Sequence, residues 1–506
     1  MFAQVIGETT CGIDGVKIGV EVDVSNGLPG FDIVGLPAAA VKESRERVKA
    51  ALRNSGLPYP MTKITVNLAP ADLKKDGSGL DLPIAVGILV STNILEPEEV
   101  EDKIFIGELS MDGSIRRVSG VLPMVMEAKQ SGFPEVYIPE ANKSEGKLVK
   151  DIDVYTPSTL LALVKHLQGK QALEKLPKEP VCLSVERTYG EDFADIRGQQ
   201  LARRALEIAA AGGHSVLLMG SPGCGKTMLA RRLVTILPPM TEEEALEVTK
   251  IYSITDMLPE GENLILERPF RSPHHSISSS ALLGGGSFPK PGEVTLSHNG
   301  VLFLDEFPEF ERSTLEMLRQ PLEDGCVSIA RVRGAVTYPS KFILIAAQNP
   351  CPCGYLGDRL HRCTCKQKQI DAYKRKISGP LLDRIDMQIN LVRVEFSELK
   401  DKKAGECSAK IRARVIKARN IQEARYHGTG IHCNAQMTRK EVTTYCKLNE
   451  EASDIMEKYF VPLHLSARNH DRILKVARTI ADLDGSKAIL AKHLAEAIQL
   501  RTSFNS

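Results

Sequence analysis

The segment GSPGCGKT, residues 220–227, has the composition and spacing of a phosphate-binding loop. Its glycines let backbone N–H groups curl around phosphate oxygens, and the helix predicted to follow adds its positive N-terminal end. In this pattern the lysine reaches the β- and γ-phosphates and the threonine hydroxyl binds Mg²⁺. The sequence therefore predicts an ATP and Mg²⁺ site built from Gly220, Ser221, Pro222, Gly223, Cys224, Gly225, Lys226 and Thr227.

A second group of polar residues follows two apolar runs, VLFLDE at residues 301–306 and FILIAAQN at residues 342–349. Asp305 is expected to hold Mg²⁺ through water, and Glu306 to polarise the attacking water. Asn349 can hydrogen-bond both the γ-phosphate and that water. Acidic pairs also end strands at ordinary surfaces, but their distance in sequence from the phosphate loop favours the functional interpretation.

Two arginines are candidates for neutralising charge in the transition state. Arg384 lies in SGPLLDRID, and Arg468 lies near the start of the predicted helix in SARNHDRILKVARTIADL. An arginine finger accelerates phosphoryl transfer by about 10³–10⁵. Arg472 is the alternative to Arg468, because residues four apart share a helix face.

Four of the eleven cysteines form the pattern C-x-C-x9-C-x-C. Two close thiol pairs can supply the ligands of a tetrahedral, structural Zn²⁺ site. His361 can replace one thiolate, and an Fe–S cluster, a redox disulfide or an unliganded thiol cluster remain alternatives. We expect the metal to hold a loop too poor in apolar residues for a core of its own. The predicted ligands are Cys351, Cys353, Cys363 and Cys365.

Two segments between these motifs are candidates for contact with a substrate. Residues 268–300 are rich in Ser, Gly, His and Pro, and a loop of this length is usually functional or disordered. The histidine pair in it can also be part of a polar loop that only caps a helix. Residues 325–342 predict a β-hairpin with Arg331 and Arg333 on one face. A basic pair suits phosphates, and a solvated strand face is the alternative.

The elements that must position these residues alternate between β-rich and helical patterns. We predict a multidomain α/β protein with an α/β domain over residues 1–165 and a charged, proline-containing linker over 166–190. An α/β core with parallel strands and crossover helices is expected over 191–395, and an all-α domain over 396–506.

Composition sets the broad class of the protein. A chain of 506 residues is too long for one core, and 42% hydrophobic with 25% charged residues is typical of globular proteins. The net charge of +1 argues neither for nor against an anionic partner. No apolar run has the length of a membrane span, and no signal segment is recognisable. We therefore expect a cytoplasmic protein without a membrane partner.

Together, the phosphate loop, the LDE strand, Asn349, GPLLDRID and the late helical arginine resemble an AAA+ ATPase. Residues 194–482 resemble its magnesium-chelatase-like clade, and the whole chain is similar to the ComM/YifB family. The resemblance implies that Asn349 is sensor 1, that Arg468 is sensor 2, and that Arg384 is a finger given to the next subunit of a homohexamer. It also implies that Ile196 and Gly198, in DIRGQQ, contact adenine.

The resemblance assigns roles to both inserted segments as well. The first corresponds to the helix-2 insert of the clade, and the second to the hairpin that precedes sensor 1 and can push on a threaded polymer. The residues of the first segment that are expected to face the ring pore are Arg271, His274, His275 and Lys290.

The N-terminal region, with KKDGSGLDLPIAVGIL, resembles the proteolytic domain of Lon proteases. That family uses a serine nucleophile and a lysine base. Here the nucleophile position holds Gly79, with Ser78 one residue early, and the lysine position holds Leu122. A serine without its base is not activated, so the resemblance implies the fold without peptidase activity and a role in assembly or substrate docking.

The function implied by the resemblance is an ATP-driven hexameric DNA motor, a helicase or translocase that migrates branched DNA in homologous recombination, as in natural transformation. Recombination proteins are further candidate partners. The basic hairpin and the Arg/Lys-rich segment KIRARVIKARN support DNA, although the latter can be a solvated helix face. The alternatives are a metal-chelatase motor that drives Mg²⁺ or Co²⁺ into a tetrapyrrole, and an ATP-dependent protease or protein-remodelling chaperone.

Overall fold

The computed structural model describes residues 1–75, 77–178, 190–259, 264–286, 289–331, 334–358, 360–393, 405–460 and 466–502. The chain forms two compact units: Met1–Leu183 with Thr241–Leu266, and Ser184–Met240 with Glu267–Ser506. This division differs from the predicted one in two respects. Residues 241–266, expected in the ATPase core, belong to the first unit, and residues 396–506 share a unit with the core.

The first unit contains a seven-stranded sheet with helices packed on it. Elements are numbered in chain order, so its last helix, α8, follows α6 and α7 of the second unit. The elements are β1 (Phe2–Cys11), β2 (Asp14–Ser25), β3 (Gly30–Val34), α1 (Ala39–Asn54), β4 (Lys63–Ala69), α2 (Asp81–Ser91), β5 (Lys103–Phe105), β6 (Glu108–Leu109), β7 (Ile115–Arg116), α3 (Val121–Gln130), β8 (Glu135–Tyr137), α4 (Lys143–Lys147), β9 (Asp153–Tyr155), α5 (Leu160–Leu167) and α8 (Glu242–Ile254).

The sheet of the first unit has the strand order β3-β4-β2-β1-β5-β8-β9. The long strands β1 and β2 pair antiparallel, whereas β5, β8 and β9 run parallel to β1. Helix α2, DLPIAVGILVS, is buried at every position, as expected for a helix that is apolar around its whole circumference.

Helix α8 is attached to this unit by hydrogen bonds that the local sequence does not predict. The N–H of Gly120 donates to the carbonyl oxygen of Ser253 at 3.0 Å. The hydroxyl of Ser253 donates to the buried carboxylate of Glu145 at 2.5 Å, and the N–H of Leu122 donates to the same carboxylate. These bonds satisfy buried polar groups at the start of α3, which explains why α8 belongs here.

Glu8 on β1 carries a buried carboxyl group for which we predict a pH-dependent destabilisation. Its side chain is 1% exposed, and neither carboxyl oxygen has a hydrogen-bond partner among the described residues. Burial, followed by the charge of Glu127, raises the pKa of Glu8 from 4.5 to about 9. The unfolded chain thus loses this proton at a lower pH than the folded unit, so stability falls as the pH rises from 4.5 towards 9.

Glu8→Gln keeps the shape of the side chain and removes its ionisation. We expect this variant to raise the free energy of unfolding at pH 7 by on the order of 3 kcal/mol and to have little effect near pH 4. Urea unfolding followed by circular dichroism at both pH values measures the difference. Glu101→Gln, at an exposed position, is the control. An equal effect of Glu8→Gln at both pH values would contradict the prediction.

The second unit contains a five-stranded parallel sheet and a large set of helices. Its elements are α6 (Gln200–Gly212), β10 (Val216–Gly220), α7 (Lys226–Ile236), β11 (Phe270–Arg271), α9 (Ser279–Leu283), β12 (Gly284–Gly285), β13 (Lys290–Pro291), α10 (Glu293–Leu296), β14 (Val301–Leu304), α11 (Arg312–Met317), α12 (Arg319–Asp324), β15 (Cys326–Arg331), β16 (Gly334–Pro339), β17 (Ile343–Gln348), α13 (Gln367–Lys374), α14 (Gly379–Leu382), β18 (Met387–Leu391), α15 (Ser408–Tyr426), α16 (Arg439–Tyr445), α17 (Glu450–Phe460), α18 (Ala467–Leu483) and α19 (Ala491–Thr502).

The parallel sheet has the order β11-β14-β17-β10-β18, which confirms the predicted α/β class. Strands β14 and β17 are buried along their whole length, as their continuous apolar sequences require. Because β14, β17 and β10 are adjacent and parallel, their carboxyl ends meet at one edge. The residues that follow these three strands therefore form one cluster.

The helices after residue 405 belong to the second unit, together with its parallel sheet. Helix α15 contributes the buried residues Ile411, Val415 and Ala418, which lie on one helix face. The Arg/Lys-rich segment lies in this helix, and three of its arginines make internal contacts: Arg412 donates to the Thr235 carbonyl, Arg414 pairs with Glu207 and Glu406, and Arg419 donates to the Ala210 carbonyl. These three guanidinium groups make contacts within the unit and help to stabilise it.

Candidate nucleotide-binding site

The phosphate loop connects β10 to α7, as its sequence predicted. Gly223 and Gly225 have φ angles of +78° and +94°, in the left-handed region that favours glycine. At Gly220 an added Cβ would lie 2.7 Å from the Cys224 sulfur, so the turn also requires glycine there. The loop thus leaves its backbone N–H groups and the N-terminus of α7 at the same sheet edge.

Four predicted residues from three strand ends are in direct contact at this edge. The Lys226 ammonium donates to the side-chain oxygen of Asn349 at 3.0 Å and to the Gly220 carbonyl at 2.6 Å. The Thr227 hydroxyl donates to a carboxylate oxygen of Asp305 at 2.9 Å. Burial lowers the pKa of Lys226, as expected for an ammonium whose charge is only partly solvated. A triphosphate with Mg²⁺ fits this set of donors and ligands.

The backbone of Glu306 has a left-handed conformation for which the sequence carries no signal. Its φ of +52° is left-handed, which is strained for a residue with a side chain. Its carboxylate lies 3.0 Å from Nδ1 of His275, whose ring packs at a tilt of 35° against that of His274 with centroids 4.0 Å apart. His275 is predicted to face a ring pore, and in the structure its ring contacts the predicted catalytic glutamate. Only the tertiary fold links these residues, which are far apart in sequence.

The other residues predicted for the pore also make internal contacts or lie at the surface. Arg271 is in the edge strand β11, and its guanidinium forms two hydrogen bonds with Glu293, at 2.6 and 2.7 Å. Lys290 is exposed in the short β12–β13 ladder. The predicted hairpin is present as β15 and β16 in antiparallel register. Arg333 and the side chain of Arg331 lie outside the described residues.

The segment predicted to contact adenine lies beside the phosphate loop. Ile196 is 1% exposed in the core of the unit, and Gly198 has a φ of +60°. Sequence reasoning missed Gln199, whose side-chain amide donates to the carbonyl oxygens of Cys224 and Val392. Gln199 thereby links this segment to the phosphate loop. A glutamine in a polar turn carries no sequence signal for such a contact.

The two predicted arginines share one carboxylate. Arg384 is 5% exposed, and its guanidinium pairs with Glu323 at 2.6 Å and donates to the Pro380 carbonyl at 2.7 Å. The Arg468 side chain is 69% exposed and lies 3.9 Å from the same carboxylate. Arg384, Glu323 and Gln320 line a cavity of about 690 Å³. Arg384 is predicted to act on a neighbouring subunit, and in the single chain its guanidinium is paired with Glu323.

Arg472, the alternative to Arg468, is engaged elsewhere. It pairs at 2.5 Å with Asp386, which also accepts from the N–H of Ser215 at 3.0 Å. Burial alone would raise the pKa of Asp386, but Arg472 and His214 hold it well below its usual range. Asp386 and Ser215 directly precede β18 and β10, at the sheet edge opposite the phosphate loop. Because five-residue strands span roughly 17 Å, Arg472 and Arg384 lie away from the phosphate site of their own chain.

The four predicted metal ligands converge. The sulfur of Cys351 lies 3.4 Å from that of Cys353 and 3.7 Å from that of Cys363, and all four sulfurs lie within 4.8 Å of one another. Tetrahedral ligation at about 2.3 Å separates sulfur atoms by about 3.8 Å, so the cluster fits Zn²⁺. Hydrogen bonds from the N–H groups of Tyr355 and Thr364 lower the pKa of Cys353 to about 5, which favours a thiolate.

His361, the alternative ligand, makes other contacts and is not part of the cysteine cluster. Its Nδ1 lies 3.6 Å from Asp358, and its ring packs at a tilt of 31° against Tyr355 with centroids 4.8 Å apart. Among the described residues, the group of His, Cys, Asp and Glu side chains that could hold a metal consists of the four cysteines alone.

The Lon-like segment of the first unit lacks the arrangement of a serine–lysine dyad. Ser78 donates to the carboxylate of Glu108 in a short hydrogen bond. Leu122, at the predicted lysine position, is fully buried. The ammonium of Lys75, three residues before Ser78, is held by the carbonyl oxygens of Gly35, at 3.0 Å, and Pro70. This lysine is therefore not directed to the serine as a base.

Comparison with known proteins agrees with this geometry. The family described as "Magnesium chelatase, subunit ChlI" matches residues 192–399, "Subunit ChlI of Mg-chelatase" matches residues 20–142, and the corresponding C-terminal family matches residues 405–501. The competence protein ComM of Haemophilus influenzae is 45% identical over 505 residues, which cover 99% of this chain and 97% of that protein. The chain belongs to the magnesium-chelatase-like ComM/YifB family.

Partial similarities extend this assignment. The DNA repair protein RadA of Listeria monocytogenes is 36% identical over 92 residues, 18% of this chain and 20% of that protein. Lon protease 2 of Bacillus subtilis is 30% identical over 168 residues, 31% of this chain and 30% of that protein. Part of this ComM/YifB family member is thus similar to Lon protease. The magnesium-chelatase family to which its core belongs is a family of AAA+ ATPases. Among its described residues, no helix has the length and apolar character needed to cross a membrane.

Proposed function

We propose that this protein hydrolyses ATP and uses the energy to move along DNA as a hexameric ring. The observation that carries the proposal is the contact of Lys226 with Asn349 and of Thr227 with Asp305 at one sheet edge. These are the groups that bind the phosphates, align the water and hold the metal in P-loop ATPases. When bound, Mg²⁺ neutralises charge that develops on the phosphate oxygens.

The residues of this chain then have separate roles. Lys226 and the N–H groups of the loop orient the phosphates, and Asn349 senses the γ-phosphate. Glu306 polarises the attacking water, for which its carboxylate has to exchange its contact with His275. Ile196 and Gly198 contact adenine in this proposal. The site is thus complete except for the positive charge that an arginine finger supplies.

The arginine charge is supplied by a neighbouring subunit in this proposal. Arg384 lies at the sheet edge opposite its own phosphate loop, and Arg468 shares its partner Glu323. Both can reach a nucleotide only if that edge faces the phosphate loop of another copy. A ring provides this arrangement at every seam, and the family resemblance favours six subunits. Glu323 then releases Arg384 when the neighbour binds ATP.

DNA is the proposed substrate because of the names of similar proteins and the predicted basic hairpin. ComM is a competence protein and RadA a DNA repair protein. The β15–β16 hairpin directly precedes β17, and Asn349 follows β17, so a force on the hairpin can reach the nucleotide site through this short strand. We propose migration of branched DNA in homologous recombination, together with other recombination proteins, in the cytoplasm. A structural Zn²⁺ at the four cysteines completes the proposed cofactors.

The test is unwinding of a synthetic four-way DNA junction by the purified hexamer, with and without ATP. We expect ATP-dependent unwinding, several-fold stimulation of hydrolysis by forked DNA, and loss of both in Lys226→Ala. Binding should weaken as salt rises, because phosphate contacts release counterions. Parallel reactions with an unfolded protein, and with a porphyrin and Mg²⁺, address the chaperone and chelatase alternatives. A verified hexamer that responds to either of these and not to DNA would contradict the proposal.

A further inference from the structure

We propose that the loop of residues 351–365 is a metal-dependent brace of the phosphate loop, in which Gly354 and Asp358 are positioning residues for nucleotide binding. In this inference the metal at the four cysteines sets the affinity of the neighbouring site for nucleotide. It rests on the nucleotide site of the proposed function and does not depend on DNA as the substrate.

The first contact between the two loops is a close approach of backbone to side chain. Gly354 is buried at a φ of +85°, and a Cβ added there would lie 2.7 Å and 2.8 Å from two ring carbons of Pro222. Real Cβ contacts are not this short, so the backbone of Gly354 lies directly on the phosphate loop. Gly354 is one residue from the predicted ligand Cys353, so metal binding and this packing are mechanically linked.

The second contact is polar. The Asp358 side chain is 1% exposed, and its carboxylate accepts hydrogen bonds from the N–H groups of Leu360, at 2.8 Å, and His361, at 2.9 Å. These two N–H groups, followed by the nearby hydroxyl of Ser221, lower the pKa of Asp358 to about 2, so it is ionised at neutral pH. The second carboxylate oxygen is buried and has no hydrogen-bond partner among the described residues, so the charge lies near the second residue of the phosphate loop without a direct bond to it.

The third link runs through the chain itself. Cys351 is fully buried and lies two residues after Asn349, whose side-chain oxygen accepts from Lys226 at 3.0 Å. Metal binding at Cys351 restrains the end of this segment. The cysteine loop thus packs on the phosphate loop at Pro222, places the Asp358 carboxylate near Ser221, and begins two residues after the contact of Asn349 with Lys226.

The loop has little apolar support of its own. Leu360 is 74% exposed and Leu356 is 37% exposed. The sulfurs, only 3.4–3.7 Å apart in three of the pairs, form its centre. A loop of this kind is ordered by its metal rather than by a core. Loss of the metal is therefore expected to release Gly354 and Asp358 from the phosphate loop and to weaken nucleotide binding.

The experiment measures the dissociation constant of fluorescently labelled ADP with Mg²⁺, together with the Zn²⁺ content of the same full-length protein. The samples are native protein, native protein stripped with a chelator, stripped protein reloaded with Zn²⁺, and Asp358→Asn. Asp371→Asn is the matched control, because the Asp371 side chain accepts from Gln367 within helix α13 and makes no hydrogen bond to the phosphate loop among the described residues. We expect stripping to weaken binding about tenfold or more, and reloading to restore it.

Asp358→Asn separates the brace from folding of the cysteine site. We expect this variant to keep about one Zn²⁺ per chain and still bind ADP several-fold more weakly, while Asp371→Asn binds as the native protein does. The inference would be overturned if the stripped protein and Asp358→Asn bound ADP as tightly as the native protein does. The proposed ATP site would not be affected by that result. A native protein that takes up no Zn²⁺ would also overturn it. Failure of the Zn²⁺-loaded native protein to bind ADP would overturn the proposed function as well.

Discussion

Glu306→Gln is expected to lower kcat for ATP hydrolysis by about 10²–10⁴ while nucleotide binding persists. Asp305 and Glu306 directly follow the buried strand β14. Because the Asp305 carboxylate is bonded to Thr227, the Glu306 carboxylate is the one expected to polarise the attacking water. The amide of glutamine keeps the size of the side chain and cannot accept a proton from water. Phosphate release measures kcat, and titration with labelled ATP measures affinity.

The control for this variant is Glu309→Gln. Glu309 lies one turn away in the same short 3-10 segment and pairs with Lys376 at 2.8 Å on the surface. We expect hydrolysis to be unchanged in that variant, because exposed ion pairs contribute little. Native-like kcat in Glu306→Gln would show that another group activates the water, and the proposed role of Glu306 would be wrong.

Arg384→Ala is expected to reduce hydrolysis by about 10³–10⁵, and activity should partly return when these subunits are mixed with Lys226→Ala subunits. Neither variant alone has a complete site. In a mixed ring, a phosphate loop from Arg384→Ala can meet a guanidinium from Lys226→Ala at the shared seam. Rescue of this kind arises only if the arginine acts on a neighbouring chain.

The mixing experiment needs two checks, since Arg384 is 5% exposed and paired with Glu323. Size-exclusion chromatography with light scattering shows whether the variant still forms rings. A double variant, with Lys226 and Arg384 both changed to Ala, replaces the Lys226→Ala partner as the control and should give no rescue. Ring formation without rescue in the first mixture would mean that Arg384 acts within its own chain or only supports the fold.

Local sequence was sufficient to predict that the residues at the centre of the candidate nucleotide site lie together. The phosphate loop is one contiguous motif, and Asp305, Glu306 and Asn349 each directly follow an apolar strand. In a parallel sheet the carboxyl ends of adjacent strands share an edge, so recognising the strands already places these residues together. The same reasoning explains why the four cysteines could be grouped, since they occupy fifteen residues of chain.

Other contacts depend on packing between elements that are distant in sequence. The partners of Arg384, Arg472 and His275 could not be read from any spacing, because Glu323, Asp386 and Glu306 come from separate elements. A buried charged side chain pairs with an oppositely charged group that is buried beside it. Which groups are buried together is known only once the chain has folded. The intrachain pairs of Arg384 with Glu323 and of His275 with Glu306 were therefore visible only in the folded structure.

The sequence by itself determined the parallel α/β core, the phosphate loop and its acidic and amide partners, because apolar periodicity and short motifs encode them locally. Tertiary structure alone decided that residues 241–266 join the first unit and that Gly354 and Asp358 lie against the phosphate loop. Both outcomes follow from hydrogen bonds and close packing across long stretches of chain. A buried carboxylate or a glycine without room for a Cβ acquires its role only when a distant surface closes over it.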